Sequence, residues 1–178
     1  MRVRPAEITD AEAIATVHVR SWQATYRGRL PDDYLRGLSI ERRTETWREI
    51  LARSDRPGLG AFVVEVDDGI VGFVHTGPSR DANAPTGTGE ITALYLAPEH
   101  WGRGGGRLLL DVALTNLRAA GYRRATLWVL ESNAAARRFY EISGWAADGA
   151  TRTEDRGSFV LAEVRYGRAT GGYTAARP

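Results

Sequence analysis

Apolar residues recur along this chain with two spacings, and the spacing changes near residue 60. Before it they lie three and four apart. Ile14, Val17 and Trp22 mark one side of a helix that Thr9 and Glu12 would open as a capping box and that runs to about Ser21. Pro31 and Ser39 open two further helical pieces, the second carrying Ile40, Trp47, Ile50 and Leu51. A short strand around Val3 precedes them. From Ala61 short apolar runs take over: Phe62 to Val66 and Ile70 to Val74 read as a hairpin about Asp67-Asp68-Gly69. Residues 77 to 89, rich in Gly, Pro, Ser and Thr, read as a mobile loop and not as a domain linker. Ile91 to Leu96 is a strand ended by Pro98. Leu108, Leu109, Val112, Ala113 and Leu117 form a helical stripe that stops near Gly121. Thr126 to Leu130 is a strand again. Ser132 and Asn133 start a helix that carries Phe139-Tyr140 and closes at Gly144. Two last strands, around Trp145 and from Phe159 to Val164, form a hairpin across residues 155–158. No internal repeat is visible. One domain over residues 1–166 is expected, with residues 167–178, rich in Gly, Ala and Thr, as a flexible tail.

Composition narrows the function more than the fold. At 178 residues with 43% hydrophobic and 26% charged residues, the chain is that of an ordinary globular domain. The formal charge is only +2 and the basic residues, all of them Arg, are scattered among acids. A concentrated basic face for nucleic acid is therefore not expected. Without Cys there is no thiolate nucleophile or thiolate metal site, and His18, His75 and His100 lack the spacing of a zinc motif, so no metal is expected. No run approaches the ~20 apolar residues of a membrane span, and Met1 to Pro5 lacks a secretory apolar segment, so the expected location is cytoplasmic.

The chemistry concentrates in one turn. Seven residues, 97–103, link the strand ending at Leu96 to the helix beginning near Gly104, and Gly102, Gly104, Gly105 and Gly106 stand among Trp101, Arg103 and Arg107. Glycines let backbone N–H groups converge on one anion, and a helix N-terminus adds about half a positive charge behind them. A P-loop would need Lys-Ser/Thr after Gly106, where Arg107-Leu108 stands, and a dinucleotide GxGxxG would need Gly at position 107. A pyrophosphate cradle of another kind is left.

The segment from Glu90 through Leu96, Trp101 and the glycines to Leu110 resembles the acetyl-CoA-binding segment of GNAT acetyltransferases, with its Gln/Arg-x-x-Gly-x-Gly/Ala core; Trp101 stands where Gln or Arg is usual. Asn133-Ala-Ala-Ala-Arg-Arg-Phe-Tyr140, followed by Gly144-Trp145, is similar to that family's second signature. The resemblance implies an α/β (α+β) fold: a central mixed, mostly antiparallel sheet of about seven strands flanked by about four helices. It implies acetyl-CoA as cosubstrate, a primary amine of a small molecule or peptide as acceptor, and a homodimer as an assembly frequent among relatives. It also implies that the strand before the turn pairs its backbone with the pantetheine arm at Leu94 and Leu96, flanking Tyr95. A catalytically silent acyl-CoA-binding module is the competing reading.

Acetyl transfer to an amine needs two proton events. A lysine-like amine with pKa ~10.4 loses its proton at pH 7 at a cost of about 4.6 kcal/mol. The departing thiolate then needs a proton, which a phenol can supply. Tyr140 occupies the position of the family's acid; its alternative is a core aromatic beside Phe139. Asn133 meets the coenzyme or caps the helix. Glu90 lies fourteen residues before Gly104, a spacing that resembles the general-base Glu of histone-acetylating relatives. At a strand end facing the cleft it would remove the amine proton, and otherwise it is a solvated loop-end acid. His75 is the reserve base. Trp22 and Tyr26, one helical turn apart, wall the acceptor pocket or pack in the core.

Overall fold

The computed structural model describes residues 1–53, 57–67 and 69–171. Seven strands form one sheet in the order β1-β2-β3-β4-β5-β7-β6: β1 (Arg2–Pro5), β2 (Gly60–Val66), β3 (Gly69–Pro78), β4 (Thr88–Leu96), β5 (Arg124–Leu130), β6 (Ala146–Asp155) and β7 (Val160–Ala169). Every neighbouring pair is antiparallel except β4 and β5. The helices are α1 (Ala11–Tyr26), α2 (Asp32–Arg36), α3 (Ile40–Leu51), α4 (Gly105–Ala119) and α5 (Ala134–Ile142), one more than the expected four.

The core divides by sheet face. On one face, Leu109, Leu110, Ala113 and Leu117 of α4 pack with Val64, Val74, Ile91, Leu127 and Val129. On the other, Ile14, Ala15 and Val17 of α1 and Trp47 and Leu51 of α3 pack on Ala61, Val63 and Phe73. The periodic apolar positions fall on these buried faces because each helix must hide one stripe and each strand one side.

Several local readings change. Asp10, and not Thr9 with Glu12, organises the entrance to α1: its carboxylate accepts the Glu7 N–H at 2.8 Å and is gripped by Arg4 at 2.6 Å. The helix runs five residues past Ser21, to Tyr26. Ser39 caps α3 as expected, its Oγ accepting the Arg42 N–H. The segment read as a loop from 77 to 89 gives two residues at each end to strands, leaving 79–87. Asp68 of the expected hairpin turn lies outside the described residues. The expected tail begins too early: residues 167–169 belong to β7, and Thr170 bonds the Arg123 and Tyr122 carbonyls. Residues 172–178 lie outside the described residues. Among the described residues no helix is long and apolar enough to cross a membrane.

Candidate active site

The site is built by the one parallel pair of the sheet. β4 and β5 pair only from Thr88–Arg124 to Ile91–Leu127. Immediately afterwards the register against β3 slips, with His75 opposite Ala93 but Thr76 opposite Ile91, so Thr92 is the extra residue of a bulge. A bulge bends its strand, and from here β4 leaves β5 and a gap opens between them. Peptide groups alternate in direction along a strand. The Ala97 N–H donates back to Val71 of β3 at 2.8 Å, so the peptide groups of Leu96 and Leu94 face the gap.

At the end of β4 the chain turns through Trp101 to Gly106 into α4. Gly104 is the N-cap residue with φ 89°, a conformation glycine takes without strain. A Cβ there, or at Gly102, would meet nothing within 4 Å, so the turn faces open space. Gly106 is glycine for a different reason: a Cβ would lie 3.0 Å from Phe139 Cζ, so α4 and α5 close on each other at this point. The N–H groups of Arg107 and Leu108 both close on the Gly104 carbonyl at 3.0 and 3.2 Å, while among the described residues no hydrogen bond is taken from the N–H groups of residues 102–106. Unbonded amides at the start of a fifteen-residue helix form an anion site. Arg103 is exposed beside it, and Arg107 lies 3.5 Å from Asp111.

Trp101 does something the sequence does not announce. Its indole Nε1 donates to the Leu96 carbonyl at 2.9 Å. The last carbonyl of β4 is thereby taken, which leaves the Leu94 peptide groups and the Leu96 N–H for an incoming amide chain.

Tyr140 lies inside the opposite wall, with Trp145 and Tyr166 each 6.2 Å away between ring centroids. Burial, and then the neighbouring phenols of Tyr95 and Tyr26, push its pKa above the usual tyrosine value. The ring is therefore core, one of the two readings drawn from sequence, and its hydroxyl lies in the field of the Tyr95 and Tyr26 phenols. Asn133 caps α5, accepting the Ala136 N–H at 3.1 Å, and its side chain also reaches the Tyr26 hydroxyl.

Trp22 and Tyr26 stand edge to face at 5.0 Å, as their spacing predicts. They pack with Tyr34 and Phe159, themselves 4.7 Å apart, on Leu35, Leu130 and Leu161, an aromatic cluster at the Leu130 end of β5. The buried Trp22 Nε1 lies close enough to the Tyr95 phenol to favour its ionised form yet completes no hydrogen bond.

Glu90 is not open to this space, contrary to the sequence expectation. Its side chain is 1% exposed, and both oxygens are used: Oε2 accepts the Arg80 N–H at 2.9 Å, and Oε1 accepts Arg80 Nη2 at 2.7 Å and Nε at 3.2 Å. The bond fastens the β3–β4 loop to the sheet. Asp81 continues the fastening by accepting from Trp128 Nε1 at 3.1 Å and Arg165 at 2.9 Å. His75 sits nearby with Nδ1 2.5 Å from Thr92 Oγ1. Burial, then Arg80, lowers its pKa to about 4 against the pull of Glu90, so it is neutral at pH 7.

Arg80, Tyr34, Trp128, Phe159 and Glu163 are the residues of this region that sequence reasoning missed. Their one visible signal is on β7, where Leu161, Glu163 and Arg165 alternate with Ala162, Val164 and Tyr166; either set can face inward until the partner strands are known.

Known proteins share both sequence and fold with this chain. The family model described as acetyltransferase (GNAT) matches residues 19–145. The uncharacterized N-acetyltransferase YuaI of Bacillus subtilis is 36% identical over 132 residues, covering 74% of this chain and 72% of that protein. An uncharacterized N-acetyltransferase of Archaeoglobus fulgidus is 32% identical over 163 residues, covering 89% and 98%. The crystal structure of the PaiA N-acetyltransferase of Thermoplasma acidophilum in complex with coenzyme A superposes with a TM-score of 0.76 over 94% of this chain and 98% of that one, at 22% identity. Splayed parallel strands, a glycine turn of unbonded amides and a family match that spans them both agree: the chain belongs to the GNAT family of N-acetyltransferases.

Proposed function

We propose that this N-acetyltransferase binds acetyl-CoA along the gap between β4 and β5 and passes the acetyl group directly to a primary amine arriving from the aromatic end. The observation that carries the proposal is the gap itself, closed by unbonded amides at one end. Residues 102–106 would hold the pyrophosphate through their N–H groups, with Arg103 and Arg107 adding charge at the rim. The Leu94 peptide groups and the Leu96 N–H would pair with the pantetheine amides, and Tyr95 between them turns its ring to the aromatic side. The bound thioester supplies an activated acetyl carbonyl. Tyr140, kept protonated by burial, then gives its proton to the departing sulfur.

A silent acyl-CoA-binding module would use the turn alone. The Tyr140 phenol and the aromatic cluster at the Leu130 end of β5 favour the enzyme. The deciding experiment is turnover of acetyl-CoA, followed by free-thiol release, with a polyamine, an aminoglycoside, an amino acid and a short peptide. Thiol release well above acetyl-CoA hydrolysis is expected with at least one. Tight coenzyme binding with no release from any would support the silent module.

A further inference from the structure

With Glu90 sealed beneath Arg80, a different carboxylate faces the acceptor. Glu163 stands opposite Leu130, beyond the last β4–β5 pair, where the gap is open. Alternation along β7 puts it on the same face as Leu161, which packs with Tyr26, Leu35 and Leu130 at the aromatic end. Its side chain is 18% exposed against 1% for Glu90. Oε2 accepts from Arg152 Nε at 2.6 Å, whereas Oε1 has no hydrogen-bond partner among the described residues. Its charge acts on the Tyr26 and Tyr95 phenols and on Arg80, so it looks across the gap towards α1, β4 and the β3–β4 loop. The charged and titratable groups around it are thus Arg152 from β6, Arg80 from the loop, Tyr26 from α1, Tyr95 from β4 and Arg165 on its own strand.

We infer that Glu163 is the carboxylate that holds the acceptor's ammonium group and receives its proton, an inference that rests on the proposed acetyl transfer. Glu163 takes one proton as the nitrogen forms its bond to the acetyl carbonyl carbon. As the carbon–sulfur bond breaks, Tyr140 protonates the sulfur and then recovers the second proton from the new amide nitrogen. Glu163 releases its proton to solvent through its exposed edge. Arg152, on the other oxygen, holds the carboxylate in orientation.

The test is Glu163→Gln, assayed with the acceptor of highest turnover from the panel of four amine classes. At about pH 7.5, kcat/KM is expected to fall on the order of 100-fold, and at about pH 10, where solution supplies free amine, the deficit should shrink to under about tenfold. Acetyl-CoA affinity by calorimetry should be unchanged, and acceptor binding to the coenzyme A complex should weaken at least about tenfold. Glu90→Gln should keep the rising limb of the wild-type pH profile, along which the base loses its proton. A folded Glu163→Gln protein with a wild-type pH profile, or loss of that limb in Glu90→Gln instead, would overturn the inference while leaving acetyl transfer intact. Absence of turnover by the wild type with every amine would overturn both.

Discussion

At Tyr140 the burial that locks the ring also sets its protonation. A phenol enclosed by Phe139, Trp145 and Tyr166, in the field of two more phenols, resists ionisation and stays a proton donor. Tyr140→Phe removes that donor without changing the ring's packing. Its kcat should fall about 10²–10⁴-fold with acetyl-CoA affinity kept, measured by single-turnover thiol release and calorimetry. A folded Phe variant at wild-type rate would return Tyr140 to a purely structural role. The two glutamates show why residue-level reading stops short. Glu90 was visible as an acid beside the coenzyme motif, but its burial depends on Arg80, ten residues earlier in a loop that sequence could describe only as rich in turn formers. Glu163 looked like one polar position of an alternating strand. Its facing direction is fixed by pairing with β5 and β6, partners separated from it in sequence.

Elements were legible where one local signal dominated. The cap at Ser39, the glycine stop at Gly144, and the short apolar runs of β2 and β3 each state a boundary within a few residues. The bulge at Thr92 has no such signal, since Glu90 to Leu96 reads as an unbroken strand, yet it separates the paired half of β4 from the half that lines the gap. The turn before α4 carries its own test. Gly104→Asp places a carboxylate at the N-cap of a helix, where a negative charge favours the helix dipole and Asp tolerates positive φ better than most residues. The substituted Cβ enters open space, so folding cost should be small. The same carboxylate repels a pyrophosphate. Acetyl-CoA affinity should therefore fall at least tenfold, about 1.4 kcal/mol, by calorimetry, with the circular dichroism spectrum unchanged. Undiminished binding would remove the coenzyme from this turn.

Across the whole molecule, the seven-strand order was accessible only through family resemblance, because strand pairing between distant segments leaves no local pattern. What joins the halves is equally invisible in sequence: α1, α3, β3 and β4 meet around two histidines. His18 accepts from Trp47 Nε1 at 3.3 Å and stacks 4.5 Å from Tyr95, and His75 lies 5.9 Å from Trp47 and bonds Thr92. Burial, aided by Arg43 for His18 and Arg80 for His75, lowers their pKa values from 6.5 to about 3 and about 4. This has a global consequence. Between pH 6.5 and about 4 the unfolded chain protonates both rings and the folded chain does not, so stability is full above 6.5 and is lost as pH falls through this window. Each histidine contributes a slope of up to roughly 1.4 kcal/mol per pH unit. Asp10, whose pKa Arg4 holds below its usual value near 3.8, adds its own loss only at lower pH. Urea unfolding should therefore show a marked loss of stability from pH 7 to 5, while α1 and α3 still shield neutral imidazoles. His75→Gln, which cannot titrate, should reduce that slope by about half. A flat wild-type stability between pH 7 and 5 would mean that the rings find water or a counter-charge on protonation, and that this junction does not couple the two helices to the sheet as tightly as its geometry indicates.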